Sequence, residues 1–394
     1  MNAIMPLGNL TAEERTRILA KSALFNPPPV LLPDGRRELV GLERPELIEE
    51  LAAIGEKPFR AKQLWHWIYH QGATDFSRMS SIARPLQEKL AERFVIGRPD
   101  VATVQTSTDE TRKWLFRFRD GQEAETVYIP DRHLDRGAVC ISSQVGCTLS
   151  CRFCHTGTQT LVRNLGAPEI VGQFMAARDA YNEWPSPRGE TPRLLSTVVL
   201  MGMGEPLYNY ENVAKAMRIV MDGEGIGLSR RRITLSTSGV VPMMDRCGEE
   251  LGVNLAVSLH AVRDDLRDEI VPLNRKYPIA ELIAACRRYP GASNARRITF
   301  EYIMLRGIND TSADARELVR LIAGIPAKVN LIPFNPWPGS DYRPSTRDAL
   351  EAFAAIVGDA GFPSPIRMPR GGDILAACGQ LRTDSRRERA SAQA

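Results

Sequence analysis

The most informative part of the sequence is residues 137–157, which read GAVCISSQVGCTLSCRFCHTG. The stretch opens with a short apolar run at 138–142, which predicts a buried β-strand. A loop follows whose cysteines have the spacing C-x3-C-x2-C, at Cys147, Cys151 and Cys154. In barrel enzymes the active site forms at the carboxyl ends of the parallel strands. The stretch therefore predicts the first strand of a parallel, barrel-type sheet and a reactive loop at the carboxyl end of that strand.

The chain after residue 137 alternates short β-rich runs with helical patterns. The predicted strands are 138–142, 195–201, 233–236, 253–259, 298–303 and 329–333, and the predicted helices include 169–180, 212–221, 313–323 and 346–357. Repeated βα units imply a parallel sheet with right-handed crossovers. Because six units are too few for an eight-stranded barrel, the sequence predicts an α/β fold with an open, partial (βα)6 barrel.

The pattern before and after the barrel predicts four further segments. They are an N-terminal extension at 1–40, a helical accessory domain at 41–100, a short β linker region at 101–136 and a C-terminal segment at 361–394, with the barrel at 137–360. Apolar residues repeat every three or four positions over 45–95, which is typical of helices. Alternation over 101–129 predicts short antiparallel strands. We expect the charged tail after about residue 382 to fray.

Composition excludes several classes of protein. Hydrophobic residues make up 43% and charged residues 25% of the 394 residues, values of a soluble globular protein and not of a collagen, a coiled coil or a disordered chain. No apolar run approaches the roughly 18 residues that span a bilayer, and the N-terminus lacks a signal-peptide pattern. We therefore expect a cytoplasmic protein with no membrane partner. The net charge of +4 permits a nucleic-acid partner without requiring one.

The cysteine loop has the residues of an iron–sulfur site. The odd total of seven cysteines argues against a disulfide framework. Three thiolates at this spacing can hold three irons of a [4Fe–4S] cube, whose fourth iron then stays open to a substrate. The alternative is a zinc site completed by His155. His155 directly follows Cys154, a poor geometry for closing a tetrahedron, so the sequence favours iron–sulfur.

Polar side chains follow several of the predicted strands. They are Gly204 and Glu205 after the second strand, Ser236 after the third, Ser258, Leu259 and His260 after the fourth, and Asn335 after the sixth. Two glycines near Glu205 permit a close backbone approach to a ligand, and Glu205 can accept a hydrogen bond from an ammonium group. The alternative for the serines is helix capping. Together at one mouth of the barrel, these groups are expected to bind a ribose, a carboxylate or an adenine edge.

The cysteine loop resembles that of the radical S-adenosylmethionine (SAM) superfamily. Further strings, in order over about residues 40–381, resemble the RlmN family of adenine-C2 methyltransferases of 23S ribosomal RNA and tRNA. They are GEKPFRA at 55–61, ETVYIP at 125–130, MGMGEP at 201–206, LSTSGVVP at 235–242, SLHA at 258–261, NLIPFNP at 330–336 and ACGQ at 377–380.

The resemblance implies roles for named residues. The [4Fe–4S] ligands would be Cys147, Cys151 and Cys154, and the SAM contacts would be Gly204, Glu205, Ser236, Ser258, Leu259, His260 and Asn335. One SAM would methylate Cys378, and a second would be cleaved to a radical that activates this methyl group for transfer to the adenine ring. Cys140 would then resolve the protein–RNA adduct, and Glu125 would accept a proton.

The resemblance also implies partners. The substrates would be adenine 2503 of 23S rRNA and adenine 37 of tRNA, with the helical accessory domain contacting RNA. The electron donor would be of the flavodoxin type, and we expect a monomer.

Two other functions stay open from the sequence. One is methylation of adenine C8 by a sister enzyme that shares the cluster and both reactive cysteines. The other is a non-catalytic, zinc-stabilised RNA-binding protein. Outside the site, Arg230, Arg231 and Arg232 are either a phosphate clamp or a solvated loop, while Cys247 and Cys286 are predicted to be core residues.

Overall fold

The computed structural model describes residues 25–27, 31–131, 134–187 and 192–385. Most of the predicted N-terminal extension lies outside these residues, as does the tail from 386 onward, where fraying was predicted. No helix within the described ranges is long and apolar enough to cross a membrane.

One open sheet of nine strands forms the centre of the described structure. The strands are β1 (Asp100–Thr106), β2 (Arg112–Arg117), β3 (Glu123–Asp131), β4 (Arg136–Cys140), β5 (Leu195–Leu200), β6 (Ile233–Thr237), β7 (Asn254–Ser258), β8 (Ile298–Met304) and β9 (Ala327–Pro333). Their order in the sheet follows the chain, with β1 and β9 at the two edges. Strands β4 to β9 are mutually parallel. The six predicted strands are therefore the six parallel strands.

Helices cover the parallel part of the sheet. They are α4 (Ala167–Ala180), α5 (Tyr210–Met221), α6 (Val241–Glu250), α7 (Asp264–Ile270), α8 (Ile279–Arg288), α9 (Ser312–Ile322) and α10 (Arg347–Asp359), after α1 (Arg44–Ala53), α2 (Phe59–Trp65) and α3 (Arg84–Arg93) in the N-terminal region. In α9, Ala315, Leu318 and Ile322 are buried, the spacing of one helical face against a core. The predicted α/β fold with a partial (βα)6 barrel is confirmed.

The predicted linker at 101–136 is instead an extension of the barrel sheet. Strands β1 to β4 pair antiparallel, and Val127 of β3 lies opposite Cys140 of β4. Trp114 and Phe116 of β2 are fully buried, so these strands gain their stability from the same core as the barrel. Alternation predicted the strands correctly, but it carried no information about which sheet they join.

The N-terminal helices dock on α5 of the barrel. Arg44 forms an ion pair with Asp222 at 2.7 Å, and the Trp65 indole donates to the same carboxylate at 3.1 Å. Lys215 of α5 adds a contact to Glu46. The accessory helices are therefore fixed to the barrel by charge-assisted hydrogen bonds.

Candidate functional site

The cysteine loop leaves the end of β4 and is closed by a two-residue strand pair. Gln144–Val145 pairs with Arg163–Asn164, which returns the chain to the sheet after the loop. A side chain at Gly157 would lie 2.4 Å from the Cys151 carbonyl oxygen, so the tight turn needs glycine there. The three cysteines of this loop, Cys147, Cys151 and Cys154, are all partly exposed.

The three thiols lie within electrostatic range of one another, as the donors of one cluster would. Burial, followed by the neighbouring thiol Cys154, raises the pKa of Cys151 to about 12. Burial likewise raises the pKa values of Cys147 and Cys154. The charge of bound iron would favour the thiolates. A donor set of three thiols, one of which (Cys154) lines the adjoining pocket, fits a cube with one open corner.

The structure gives little support to the zinc alternative. His155 Nδ1 lies 3.3 Å from the Gln380 carbonyl oxygen, and Nε2 lies 3.2 Å from an Arg382 nitrogen. The His155 ring also stacks on Trp337 at 4.7 Å between centroids. Among the residues described, no three His, Cys, Asp or Glu side chains are arranged to hold a single metal ion. Ligands of a cube bind different irons, so they lie further apart than ligands of one ion.

A pocket opens beside Cys154 at the carboxyl ends of the parallel strands. Its lining includes Cys154, Gly204, Glu205, Ser236, Ser258, His260, Glu301 and Cys378. Most residues predicted to contact SAM therefore lie around one cavity. Leu259 and Asn335 lie outside this lining, since Leu259 is fully buried and the Asn335 amide donates to the Cys378 carbonyl oxygen at 3.0 Å.

Glu205 links the ends of two strands. One carboxylate oxygen accepts from the Leu207 N–H at 3.1 Å and the other from the Ser238 N–H at 2.8 Å. Burial raises the pKa of Glu205 to about 7. Gly204 beside it has φ +100°, and a Cβ there would lie 2.6 Å from Gln144 Cβ. The backbone at this position can approach a ligand only because the residue is glycine.

A buried arginine fixes the ends of β6 and β7. Arg267 Nη2 donates to the Ser238 carbonyl at 2.7 Å and to the Ser258 carbonyl at 3.1 Å, while Nε donates to Leu259 O at 2.9 Å. His260 follows with φ +62°, and its Nδ1 accepts from the Ile303 N–H at 3.1 Å. Burial lowers the pKa of His260 to about 3, so this ring is neutral at physiological pH.

The C-terminal segment that carries Cys378 is held on one side by β2 and by the end of β1. The Ser107 hydroxyl, just after β1, donates to the Asp373 carboxylate at 2.5 Å. The Lys113 ammonium of β2 donates to the Leu375 carbonyl oxygen at 3.3 Å. These contacts attach the part of the segment that precedes Cys378 to the antiparallel strands.

The part of this segment that follows Cys378 is held by the cysteine loop and by the chain after β9. The His155 backbone N–H donates to the Gly379 carbonyl oxygen at 2.7 Å. The Gln380 amide donates to the Pro336 carbonyl oxygen, also at 2.7 Å. The segment therefore bridges the antiparallel strands to the cysteine loop, which places Cys378 over the pocket.

Two of the four cysteines outside the cluster loop, Cys140 and Cys378, lie within electrostatic range of each other. Cys140 at the end of β4 is buried, and burial together with the charge of Cys378 raises its pKa to about 12. Cys378 is partly exposed and lines the pocket. Burial raises the pKa of Cys378, whereas the Arg367 guanidinium opposes that rise. The fold therefore brings together two thiols that are 238 positions apart in the sequence.

Glu125 is part of the support for the C-terminal segment. Its Oε1 forms an ion pair with Lys113 at 2.8 Å, and its Oε2 accepts from the Arg382 N–H at 2.8 Å. Burial raises the pKa of Glu125, and Lys113 opposes the rise. Glu125 is absent from the pocket lining, so its role as a proton acceptor stays a prediction.

Sequence reasoning missed Glu301, Arg367 and Arg267. Glu301 stands alone as a charged residue in ITFEYIM, a strand buried along its whole length, and a charge in such a strand is the signal that could have found it. The two arginines carried no comparable signal. Cys247 and Cys286 lie buried in helices, as core residues do.

The arginine triplet lies away from the pocket. Arg230–Arg232 forms an exposed turn directly before β6, and the pocket lies at the opposite, carboxyl ends of the strands. The structure thus favours the solvated loop over a phosphate clamp beside the reacting base.

Family models match two parts of the chain. Residues 37–96 match the ribosomal RNA large subunit methyltransferase N-terminal domain, and residues 141–322 match the radical SAM superfamily. The first range covers the accessory helices, and the second covers the cysteine loop and most of the parallel strands.

Similar proteins extend over almost the whole chain. A dual-specificity RNA methyltransferase RlmN from Gluconobacter oxydans is 79% identical over 98% of this chain and 94% of its own length. Another with that name, from Granulibacter bethesdensis, is 80% identical over 95% of each chain. A crystal structure of a radical SAM methyltransferase from Sphaerobacter thermophilus superposes with a TM-score of 0.81, at 46% identity, over 88% of this chain and 99% of that one.

Proposed function

The chain belongs to the RlmN family of dual-specificity RNA methyltransferases, and from that premise we propose that it methylates C2 of adenine at position 2503 of 23S rRNA and position 37 of tRNA. It is a SAM-dependent enzyme of the radical SAM superfamily that uses a [4Fe–4S] cluster. The observation that carries the proposal is that Cys378 and Cys154 line one pocket. A methyl carrier and a cluster ligand must share a cavity if both act on one substrate.

The residues proposed to bind the cluster and SAM form two sets. Cys147, Cys151 and Cys154 would hold the cluster, which when bound supplies the electron that cleaves SAM. Gly204, Glu205, Ser236, Ser258, Leu259, His260 and Asn335 would hold SAM. Leu259 and Asn335 lie outside the pocket lining, and the Asn335 amide holds the Cys378 backbone carbonyl.

Cys378 and Cys140 would carry the covalent chemistry. The Cys378 sulfur takes a methyl group from SAM, whose sulfonium becomes a neutral thioether, and the Cys378 proton leaves. The radical from the second SAM would take one hydrogen atom from this methyl group, and the carbon would then join the adenine ring. The Cys140 sulfur next attacks the Cys378 sulfur. The sulfur–carbon bond to the RNA breaks, its electron pair stays on the carbon, and this carbon takes a proton to become the methyl group. A disulfide forms, and an external reductant must restore both thiols. The Glu125 carboxylate is proposed as the acceptor of the adenine C2 proton.

The identity of the carbon is the point on which two related enzymes differ. C8 methylation uses the same cluster and cysteines, and C2 is favoured here because relatives that cover nearly the whole chain carry the name RlmN. A flavodoxin-type donor rests on the resemblance alone, and the monomeric state and the cytoplasmic location stay expectations from the sequence.

The test is methylation of an RNA fragment by the reconstituted holoenzyme under anaerobic reducing conditions. We expect 2-methyladenosine by nucleoside mass spectrometry and no product from Cys378→Ala, because that variant has no thiol to carry the methyl group. Product containing 8-methyladenosine would favour the sister activity. Protein that binds zinc and releases no 5′-deoxyadenosine would reject the enzyme altogether.

A further inference from the structure

Glu301 has a carboxylate oxygen with no partner at the wall of the reactive pocket. The residue lies in β8, is 4% exposed and lines the pocket together with Cys378. Its Oε1 accepts from the Asn330 amide at 2.9 Å. Its Oε2 is buried and makes no hydrogen bond to any described residue. A buried carboxylate oxygen without a partner is costly, so it needs a functional explanation.

The other carboxylates near the site are already engaged. Both carboxylate oxygens of Glu205 accept hydrogen bonds, from the backbone N–H groups of Leu207 and Ser238. In Glu125, Oε1 forms an ion pair with Lys113 and Oε2 accepts a hydrogen bond from the Arg382 N–H. Of the two carboxylates that line the pocket in the described structure, Glu205 and Glu301, Glu301 is therefore the one with an oxygen, Oε2, that is free to accept a proton.

Two neighbours keep Glu301 ready to accept a proton. Asn330 on the adjacent strand β9 holds Oε1, and this contact fixes the plane of the carboxylate. The positive charge of Arg367 favours the ionised carboxylate and opposes the effect of burial, which raises the pKa of Glu301. Arg367 also interacts electrostatically with Cys378 and Cys140, so the acid, the cation and the two thiols form one cluster.

We propose that Glu301 is the catalytic base that takes the Sγ proton of Cys378 when this cysteine is methylated by SAM. The inference rests on the proposed function, and it concerns only the first, polar methyl transfer. The Cys378 Sγ–H bond breaks and an Oε2–H bond forms on Glu301. In the same step the Sγ–CH3 bond forms, the methyl–sulfonium bond of SAM breaks, and its electron pair stays on the departing sulfur.

The charges in this step support the assignment. An anionic carboxylate and a cationic sulfonium become a neutral acid and a neutral thioether. Because opposite charges cancel inside a buried pocket, no new charge has to be desolvated. Arg367 remains as the cation beside the cysteines.

The experiment follows methyl transfer to Cys378 in the reconstituted holoenzyme without a reductant. Wild-type protein with reduced, unmethylated Cys378 and Glu301→Gln are mixed with SAM, and the gain of one methyl group (about 14 Da) on the Cys378 peptide is timed by mass spectrometry. Glutamine keeps an oxygen for Asn330 but cannot take the proton. A general base contributes about 100-fold or more, so we expect the rate to fall by at least that factor.

Two further measurements separate the base from a structural role. Equilibrium dialysis should give Glu301→Gln a SAM affinity within about threefold of wild type, and reduction should still yield 5′-deoxyadenosine. Glu351→Gln makes the same chemical change on the exposed helix α10 and should match wild type throughout. Glu301→Asp retains a carboxylate and should restore part of the lost rate.

The outcomes distinguish a failure of the proposed function from a failure of the role assigned to Glu301. If wild-type Cys378 gains no methyl group, the proposed function fails. If wild type is methylated and Glu301→Gln is methylated equally fast, the assignment of Glu301 is wrong. It is also wrong if SAM binding and methylation fall together, because Glu301 then serves to bind SAM.

Discussion

The buried ion pair between Lys113 and Glu125 should control how firmly the Cys378 segment is held. Both side chains are less than a tenth exposed, at 9% and 7%. Lys113 also donates to the Leu375 carbonyl at 3.3 Å, and Glu125 accepts from the Arg382 N–H. Lys113→Met would leave the Glu125 carboxylate buried with no cation beside it.

The cost of that change can be estimated. Removing one partner of a buried pair destabilises by about 3–5 kcal/mol, because the remaining charge is uncompensated. If the cost falls on local opening of residues 371–385, about 3 kcal/mol corresponds to roughly 100-fold faster hydrogen exchange, since about 1.4 kcal/mol is tenfold. Hydrogen exchange with mass spectrometry on peptides from this segment measures the effect.

The effect should depend on pH with a definite sign. Burial already raises the pKa of Glu125 above 4.5, and loss of Lys113 removes the opposing charge. A carboxyl with a raised native pKa stabilises the fold most below its unfolded pKa, and this contribution is lost as the pH rises through the native pKa. The ratio of variant to wild-type exchange should therefore be smaller at about pH 5 than at about pH 8.

A matched control is available on the surface. Arg84→Met breaks the pair with Glu88, whose side chains are 87% and 64% exposed, and exposed pairs contribute little. Its exchange over 371–385 should equal that of wild type. If hydrogen exchange in Lys113→Met stays within about threefold of wild type at the higher pH, the Lys113–Glu125 pair does not hold the Cys378 segment.

Three other outcomes are expected. Gly204→Ala should weaken SAM binding about tenfold or more in equilibrium dialysis, because a side chain at φ +100° meets Gln144 and such strain costs about 1–3 kcal/mol. Unchanged SAM affinity would contradict the close approach of the Gly204 backbone to SAM. Cys140→Ala should accumulate a covalent protein–RNA species on a denaturing gel, since no thiol is left to resolve it, and free RNA alone after turnover would argue against its role. Cys151→Ala should lose iron and 5′-deoxyadenosine release in parallel assays, with no recovery on adding zinc, whereas normal iron content would remove this residue from the ligand set.

Periodicity was sufficient for the regular elements of this chain. Each of the six parallel strands was predicted within about two residues, because a buried parallel strand is a short apolar run between helical patterns. The sheet partners of 101–129 were not predictable, since alternation reports which face is buried and not what the strand pairs with.

The kind of chemistry is already written in the chain: three cysteines in fixed spacing on a loop after a strand, and polar groups at strand ends. Such information is local, because the residues are neighbours in the chain or recur with the period of an element. The tertiary structure alone brings Cys378 and Glu301 to one pocket and places Cys140 and Arg367 within electrostatic range of Cys378. These residues come from distant segments, and contacts of that kind arise from the packing of the whole sheet and its C-terminal segment.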